Sequence, residues 1–482
     1  MSERQIYLLS PRELSPETIA VAFAKTSRSP ESFREIAAGL TEEKSAQFHE
    51  KWVVGYGHAS VAEHAVLHIA FENVSRLAIE CIESSRLASY TEKSTRYQKW
   101  VPDNFFIPTE LDGHTLRSEY LAACGLLFKT YDESLAPVRS LVMDRTPRRE
   151  NESDDALDRR VRSQYVDVCR FLLPAASLAN VGVTANARTL ENMIRKMLSH
   201  PLEEVRQIGA QVKLTAQGEV PTLVKYADVV PYLVETGTEL SSLAAAAWDS
   251  GTRGQESAVE DDHPRDFCTL AAYDPDGEEK VLAAALYRFG GMPLDEAQRH
   301  VSGLSDQDCS SLAAALLKRL DSHDIPLREL EYSSYTFDLI MDQGAYAEFK
   351  RHRMMTQTPQ KLTTRLGYAV PRLIVEAGLD SAYRAAMDAV AATYEKLCAF
   401  NPEVAQYVVP NAYHRRVLAQ FNLREAYAFC QLRSAPNAHF SMRRIAGRIY
   451  EAIQAAHPRL AGFMRLPEES WQTVQQAHFA DC

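Results

Sequence analysis

The sequence predicts a mixed fold of α-helices and short β-strands that is built twice within one chain. Helical apolar periodicity alternates with short apolar stretches typical of strands, and segments of the first half recur in the same order in the second half. With 482 residues, the chain is long enough for two to four domains.

The internal repeat is clearest near the end of each half. The segment FLLPAASLANVGVTANAR, which ends at Arg188, resembles YVVPNAYHRRVLAQFNLR, which ends at Arg424. The register is constant, because Asn186 and Asn422 are separated by the same interval as the two arginines. Matching segments in the same order indicate a duplicated domain.

The domain boundaries follow from a change in composition between the two copies. Glycine, serine, proline and acidic residues occur there without apolar periodicity, which is typical of a linker. We predict a first domain at 1–248, a linker at 249–266 and a second domain at 267–482.

Local patterns predict the elements of the first half in order. Strands are indicated by alternation, and helices by apolar periodicity with prolines, hydroxyl caps and acids at their starts. The predicted elements are a strand at 5–13, helices at 16–24, 30–39 and 41–54, a glycine-rich bend at 55–65, a strand at 66–74, a helix at 75–89 with a loop after it to 97, helices at 114–146 and 158–170 with a charged surface loop between them, and a loop with two helices between 174 and 206.

Composition excludes several classes of function. The net charge of −11 disfavours broad binding to nucleic acid or to an anionic membrane, and no apolar run approaches the ~20 residues of a membrane helix. The N-terminal segment lacks the layout of a signal peptide. Eight scattered cysteines without a CxxC pair indicate reduced thiols in a cytoplasmic protein and no zinc site.

The segment KRHRMMTQTPQKLTTR, at 350–365, is the most distinctive polar stretch. Arg351, His352 and Arg353 are adjacent, and hydroxyl side chains follow them. The planar guanidinium fork suits a phosphate or the carbonyl edge of a flavin-type ring. A solvated basic helix end is the alternative interpretation of this cluster.

A second version of this region lies in the first half, at 63–97. The segment EHAVLHIAFENVSRLAIECIESSRLASYTEKSTRY resembles the signature region of flavin-dependent thymidylate synthases, in which an Arg-His-Arg triplet precedes Ser-x-Arg-Tyr by seven residues. Arg86, Ser94 and Arg96 match this pattern, but Ser84 and Ser85 replace the first two members of the triplet. In the second half, the segment EYSSYTFDLIMDQGAYAEFKRHR keeps the triplet intact, and its tail departs from the pattern by two extra residues.

The other motifs of this family are divided between the halves. Its His-x-Ser/Thr-x-x-Glu pattern is matched by His58, Ser60 and Glu63, whereas only Glu331 remains in the second half. Its Asn-x-Arg pattern with a later arginine is matched in part by each half: Asn186, Arg188 and Asn192, with Met197 in place of the later arginine, and Asn422, Arg424 and Arg433, with Ala428 in place of the second amide.

The resemblance implies an α+β fold with two homologous helix-rich domains in tandem, each around a small mixed sheet. It implies a flavin-dependent enzyme, a methyltransferase that converts dUMP to dTMP with FAD as cofactor and with NADPH and methylene-tetrahydrofolate as co-substrates. The flavin-binding residues would be Arg351, His352, Arg353, His58, Ser60, Glu63, Asn186, Arg188, Asn192, Asn422 and Arg424, and the nucleotide-binding residues would be Ser94, Arg96, Arg433 and Arg86.

The complementary losses predict that the halves share one site. The resemblance also implies that two chains form a homodimer, because the family works as a homotetramer and each chain supplies two of its domains. Two alternatives remain open: a divergent flavoenzyme acting on another pyrimidine nucleotide, and a non-catalytic protein that binds FAD or a nucleotide. The losses at Ser84, Ser85 and Met197 favour the non-catalytic alternative if the halves do not complement each other.

Overall fold

The computed structural model describes residues 5–27, 29–56, 58–94, 96, 100–251 and 267–480, with the side chains of 248–251 left out. Most of the predicted linker therefore lies outside the described residues. No helix in the described part of the chain is long and apolar enough to cross a membrane.

Hydroxyl and amide side chains begin many of the helices up to residue 251. Ser15 caps the first helix ahead of Pro16, and Ser32 and Glu35 form a capping box on the second. The elements are α1 (Pro16–Lys25), α2 (Phe33–Ala38), α3 (Glu42–Phe48) with a π-helical continuation at His49–Gly55, a 3₁₀ segment at Ala59–His64, β1 (Val66–Ser75), α4 (Arg76–Ile82), β2 (Ala88–Glu92), α5 (Leu116–Arg145), α6 (Asp154–Cys169), β3 (Leu178–Asn186), α7 (Ala187–Leu198), α8 (Glu203–Gln217) and α9 (Pro231–Gly251).

The part of the chain from 267 to 480 continues this numbering. Asp342 and Asn422 cap the helices that follow two of its strands. Its elements are β4 (Cys268–Tyr273), α10 (Gly277–Gly290), α11 (Leu294–Ser302), α12 (Asp306–Leu317), a 3₁₀ segment at Arg328–Tyr332, β5 (Ser334–Asp342), α13 (Gln343–Phe349), β6 (Thr356–Pro359), α14 (Arg372–Glu376), α15 (Asp380–Phe400), α16 (Pro402–Ala405), β7 (His414–Asn422), α17 (Leu423–Ser434), α18 (Phe440–Ala456), α19 (Pro458–Ala461) and α20 (Trp471–His478).

The chain forms two compact units that do not follow the two sequence halves. Unit 1 contains the described residues of Met1–Ser94, Asn104–Arg117 and Ala176–Asp262, and unit 2 contains those of Thr95–Asp103, Ser118–Ala175 and His263–Cys482. The predicted domain boundaries at 248 and 267 separate two homologous stretches of sequence, not the two compact units. These boundaries stay a prediction.

Unit 1 is organised around a sheet of three strands in the order β1-β3-β2, with both pairs antiparallel. Alternate residues of the central strand, among them Val181 and Val183, are buried. Asn186, the last residue of β3, caps α7, whose Leu190 and Ile194 are fully buried. The sheet thereby fixes where the first turn of α7 begins.

Unit 2 repeats this arrangement with one more strand, in the order β4-β5-β7-β6. Each pair is antiparallel, and Ser334 at the start of β5 lies opposite Asn422 at the end of β7. Asn422 caps α17, as Asn186 caps α7. Tyr335, Phe337 and other buried side chains of the sheet join those of α13, α17 and α18 in one apolar core.

The α+β class is confirmed, but the predicted mixed sheets are a correction. β1 and β2 run in the same direction, yet each pairs antiparallel with β3, which lies between them. The predicted strand at 5–13 is wrong, since these residues form no strand, and Ile6 and Leu8 are exposed. Two segments that were predicted as loops contain the strands β2 and β3, and α6 begins earlier than predicted.

Candidate functional site

A groove with a volume of about 920 Å³ lies in unit 1. Aromatic side chains, including Phe23, Phe48 and Trp52, and the predicted flavin-binding residues His58, Ser60 and Glu63 line it. The ring of Trp52 stacks on Tyr56 with centroids 5.0 Å apart and lies 6.1 Å from the ring of His58. This lining combines flat apolar surfaces with a few polar groups, as small-molecule sites do.

The backbone around the 3₁₀ segment Ala59–His64 positions these polar side chains. The amide of His58 donates to the carbonyl of Trp52 at 3.1 Å, and the carbonyl of His58 accepts from the amide of Val61 at 3.1 Å. The tight turn leaves His58, Ser60 and Glu63 exposed. They are therefore accessible to a ligand in the groove.

Glu63 is joined to the predicted Asn-x-Arg motif at the start of α7. Arg188 donates from a terminal nitrogen to Glu63 Oε1 at 2.5 Å, and this arginine side chain is 48% exposed. Asn186 accepts from the amide of Thr189 at 2.9 Å, and Asn192 donates to the carbonyl of Arg188 at 3.1 Å. The structure thus brings Glu63 and Arg188 together, and uses the amide of Asn186 as a helix cap.

The predicted nucleotide-binding residues of unit 1 lie at the two ends of β2. Arg86 is exposed in the turn between α4 and β2, and Ser94 follows β2 and is half-buried. Ser85, which stands at the middle position of the degraded triplet, is buried. Its backbone carbonyl accepts a hydrogen bond from the hydroxyl of Tyr90 at 3.0 Å.

In unit 2, the intact triplet lies in the turn between α13 and β6. Arg351 is exposed, Arg353 is half-buried and His352 is buried. The carbonyl of His352 accepts from the side-chain amide of Gln357 at 3.0 Å, which holds the turn against the start of β6. The two arginines therefore differ from the histidine between them, because only they have solvent-accessible side chains.

His352 is held by residues of α17. Its Nε2 accepts from Nε of Arg433 at 2.9 Å, so the ring proton resides on Nδ1, which donates to Glu425 at 3.2 Å. Its ring packs edge-on against Phe429, with centroids 4.8 Å apart. Burial lowers the pKa of His352, and the bond to Glu425 opposes this only in part. The ring is neutral at physiological pH.

Arg433, the predicted phosphate-binding arginine, also bonds to Glu348 of α13. It donates to Glu348 Oε2 and to the Glu348 carbonyl, both at 3.1 Å. Arg170 donates to the other carboxylate oxygen at 3.2 Å, and its side chain is only 4% exposed. Burial raises the pKa of Glu348, but the arginines at 170, 96 and 433 outweigh this, so that the pKa lies below its ordinary value. We call Arg170, Glu348 and Arg433 the Glu348 cluster.

Arg96, from the Ser-x-Arg motif, lies in unit 2 and is paired with a carboxylate. Its Nε donates to Asp167 Oδ1 at 2.8 Å and a terminal nitrogen donates to Oδ2 at 2.7 Å. The other terminal nitrogen donates to the carbonyl of Asn437 at 3.1 Å. The pair is two-pronged and mostly buried, which is the strong geometry for arginine and a carboxylate.

The second Asn-x-Arg motif has the same local geometry as the first. Asn422 accepts from the amide of Glu425 at 2.9 Å, and Arg424 donates to Glu331 Oε1 at 2.9 Å. Glu331 also receives two bonds from Arg328, each at 3.1 Å. The Arg424–Glu331 pair is the counterpart of Arg188–Glu63.

Sequence reasoning missed the carboxylates that pair with the predicted phosphate-binding arginines. Glu348 and Asp167 carry no motif of their own, and Arg170 was also overlooked. One signal was present: Arg170 directly precedes the repeated segment that ends at Arg188. Chemically, these groups can bind an anionic ligand only if it competes with carboxylates already in place.

Comparison with known proteins places both halves of the chain in one family. The sequence profile described as "Thymidylate synthase complementing protein" matches residues 10–222 and 269–459. The two matched regions together cover most of the chain, and each corresponds to one copy of the internal repeat.

The chain is also similar to individual proteins over different shares of its length. A UPF0159 protein of Chlamydia muridarum is 31% identical over 444 residues, which cover 89% of this chain and 82% of the relative. A flavin-dependent thymidylate synthase of Clostridium tetani is 28% identical over 214 residues, covering 44% of this chain and 82% of the relative. The crystal structure of a flavin-dependent thymidylate synthase from Helicobacter pylori, complexed with FAD and dUMP, aligns with a TM-score of 0.30 and 17% identity over 42% of this chain and 99% of that one.

Proposed function

The chain belongs to the family of thymidylate synthase complementing proteins as a fusion of two family segments, and we propose that it is a flavin-dependent thymidylate synthase. In this proposal it binds FAD and dUMP and gives dTMP. Methylene-tetrahydrofolate and NADPH are the co-substrates that supply the one-carbon unit and the reducing equivalents.

The observation that carries the proposal is the groove of unit 1. Its volume of about 920 Å³ lies within the range of small-molecule sites, and it combines the rings of Trp52 and Phe23 with His58, Ser60 and Glu63. A flat isoalloxazine ring fits aromatic walls, and its carbonyl and ring nitrogens fit hydroxyl and imidazole groups. These residues therefore suit the ring part of FAD.

The lining of the groove offers little positive charge for a phosphate, because Lys25 stands there against Glu31, Glu35 and Glu63. In unit 2, we assign the binding of flavin phosphate to the exposed Arg351 and the half-buried Arg353, whose guanidinium groups suit phosphate oxygens. His352 would position them, because its ring is fixed by Arg433 and Glu425.

In unit 2, the phosphate of dUMP is assigned to Arg433 and Arg96, and Ser94 and Arg86 of unit 1 stay proposed nucleotide-binding residues. Arg433 and Arg96 are each held by several hydrogen bonds, so their orientation is fixed before a ligand arrives. When bound, the flavin would supply the hydride and one-carbon transfer chemistry. The side chains of the protein would bind, orient and shield the substrates.

A specific observation favours a second candidate, a non-catalytic protein that binds FAD or a nucleotide. Arg433 bonds to Glu348, and Arg96 bonds to Asp167. A substrate phosphate would have to displace these carboxylates or share the arginines with them. The buried arginines would then lose part of the negative charge that now compensates theirs. This cost would weaken dUMP binding.

One experiment separates the candidates. The purified protein is analysed for co-purified flavin, and the reduced holoprotein is mixed anaerobically with methylene-tetrahydrofolate and dUMP. Flavin oxidation that requires dUMP and yields dTMP supports the synthase. A yellow protein without dUMP-dependent oxidation supports the non-catalytic candidate. A protein that binds no FAD contradicts the synthase and leaves a non-catalytic protein that binds only a nucleotide.

A further arm tests the substrate base. UMP and dCMP replace dUMP at equal concentration in the same assay. Oxidation that is faster with either of these nucleotides would identify a divergent flavoenzyme acting on another pyrimidine nucleotide.

A further inference from the structure

Unit 2 contains a further cavity, and Arg96, to which the dUMP phosphate is assigned above, is one of its lining residues. Its volume is about 530 Å³. One face of α6 forms a wall, because Ala156, Arg160, Ser163 and Asp167 recur at helical spacing. We call this cavity the α6 pocket.

The lining of the α6 pocket is strongly basic in an acidic chain. Five arginines contribute to it, at positions 96, 149, 159, 160 and 443, against the two carboxylates Glu152 and Asp167. The whole chain, in contrast, has a net charge of −11. An anion is therefore attracted to this pocket and repelled by the protein as a whole.

Both carboxylates of the pocket are already neutralised by one arginine each. Glu152 accepts two bonds from Arg160, at 2.9 and 2.6 Å, and Asp167 accepts the two-pronged donation of Arg96. The hydrogen bond from Arg160 holds the pKa of Glu152 at about 2, so this carboxylate stays charged and paired. Glu152 also accepts from the backbone amide of Arg149 at 3.0 Å, but the guanidinium bonds to each carboxylate come from one arginine only.

Three arginines are left with unused donors. Within the part of the chain that the structure describes, the guanidinium groups of Arg149 and Arg159 make no hydrogen bond or ion pair, and both residues are exposed. Arg443 is bonded to Glu469, but its Nε is buried without a hydrogen-bond partner in the described residues. A buried donor without an acceptor is costly, and a ligand oxygen can satisfy it.

The pocket also has an apolar part. Phe440 stacks on the ring of His478 with centroids 4.8 Å apart and rings nearly parallel, and Leu373 and Val168 lie in the same lining. Asn437 and Gln164 add neutral polar groups. The lining can therefore accept a flat organic body as well as a charged group.

We propose that the α6 pocket binds a small phosphate monoester with a flat apolar body, with its phosphate at Arg149, Arg159 and Arg443. The dianion matches the guanidinium groups of Arg149 and Arg159 and the unsatisfied Nε of Arg443, because guanidinium groups bind phosphate oxygens in a fork. This site does not depend on the proposed flavin chemistry. Neither Arg149 nor Arg159 belongs to the flavin or nucleotide motifs.

The test uses phenyl phosphate as the probe, with inorganic phosphate and phenol as its two separate parts. Binding is followed at pH 8 by broadening of the ³¹P resonance of phenyl phosphate, and by proton NMR for phenol. Phenyl phosphate should bind more tightly than either part. The double variant Arg149→Gln/Arg159→Gln should weaken its binding about tenfold or more, because two charged contacts are lost.

A charge-matched control is Lys318→Gln/Arg319→Gln, at the end of α12 in the same unit, which removes two positive charges outside the pocket lining. This variant should bind phenyl phosphate as the unmodified chain does. The proposal is overturned if the unmodified chain does not bind the probe, if the pocket variant binds it normally, or if the control loses as much affinity. Arg149 and Arg159 are exposed, so the fold should survive, and circular dichroism checks this.

Discussion

Replacing Glu348 tests whether the buried cluster described above stabilises unit 2. Glu348→Ala removes the acceptor shared by Arg170 and Arg433. Both guanidinium groups are mostly buried, with 4% and 15% of their side chains exposed. Water therefore cannot replace the lost carboxylate, and the variant should be strongly destabilised.

The size of the effect follows from burial. Removing one partner of a buried ion pair costs about 3–5 kcal/mol, because the other charge is left uncompensated. Hydrogen bonds to charged groups contribute about 1.5–3 kcal/mol each, and Glu348 accepts two through its carboxylate. We expect Glu348→Ala to lower the free energy of unfolding by roughly 3–5 kcal/mol. Glu348→Gln, which keeps one acceptor oxygen, should lower it by about half as much.

An exposed pair in the same unit provides the matched control. Arg365 bonds to both carboxylate oxygens of Glu395 at 3.0 Å, but the two side chains are 61% and 52% exposed. Glu395→Ala should therefore cost less than ~1 kcal/mol. Urea unfolding gives the overall losses, and hydrogen exchange of peptides from α13 and α17 assigns them to the cluster. If Glu348→Ala loses no more stability than Glu395→Ala does, the reasoning is refuted.

The pH dependence gives an independent check with a definite sign. The pKa of Glu348 in the folded chain lies below its ordinary value of 4.5. A depressed carboxyl pKa stabilises the folded state above the unfolded pKa, and this stabilisation is lost as pH falls through the folded pKa. The difference in stability between the unmodified chain and Glu348→Gln should be full at pH 7 and shrink below about pH 4.5. A difference that grows in acid would contradict the assignment.

Four further predictions follow from the proposed function. Arg353→Ala should weaken FAD binding about tenfold or more, measured by quenching of flavin fluorescence, because one arginine–phosphate contact is lost; an unchanged dissociation constant would exclude this contact. Arg96→Ala should weaken dUMP binding by a similar factor in calorimetry while FAD stays bound; normal dUMP affinity would remove Arg96 from the site. Calorimetric titration should saturate at about one FAD per chain, since each half has lost part of the motif set; two per chain would show that the halves do not share a site. Light scattering should give twice the chain mass of 54.1 kDa; a monomer at micromolar concentration would contradict the dimer.

The fold was predictable where apolar periodicity was strong and caps were present. Helices α1, α2 and α5 and strand β1 lie close to their predicted positions. The central strand β3 was missed, although Val181, Val183 and Ala185 alternate inward, because Asn180 and Gly182 between them have low β propensity. Its strand conformation depends on pairing with β1 and β2 on both sides, which local sequence does not encode.

The N-terminal strand shows the opposite failure. The segment after Ile6 resembles the one after Cys268, yet only the second forms a strand, β4. Cys268 is fully buried and β4 pairs with β5, whereas Ile6 and Leu8 are each 92% exposed. Similar sequence patterns therefore gave different structures, because an edge strand forms only where a neighbouring strand and a core accept it.

The candidate site was predictable as far as motifs reach. The resemblance to the family's motifs selected His58, Ser60 and Glu63, which line the groove, and the two asparagines that cap helices. The motifs did not reveal that Glu348 bonds to Arg170, which lies 178 positions earlier. Ion pairs between distant segments depend on tertiary packing, and no local periodicity reports them.

Comparison of the two copies distinguishes residues that the fold requires from residues that a ligand would require. Each copy keeps an asparagine at the end of an inner strand, β3 or β7, and this asparagine caps the next helix. Two residues later, an arginine bonds to a glutamate that precedes β1 or β5: Arg188 to Glu63, and Arg424 to Glu331. This arrangement occurs in both units and therefore has a structural role in each, while the flavin-binding role of these asparagines and arginines stays a prediction. The intact triplet and the His58–Ser60 turn each occur in only one half. These unshared residues, rather than the repeated ones, are therefore where substitutions should change ligand binding without changing the fold.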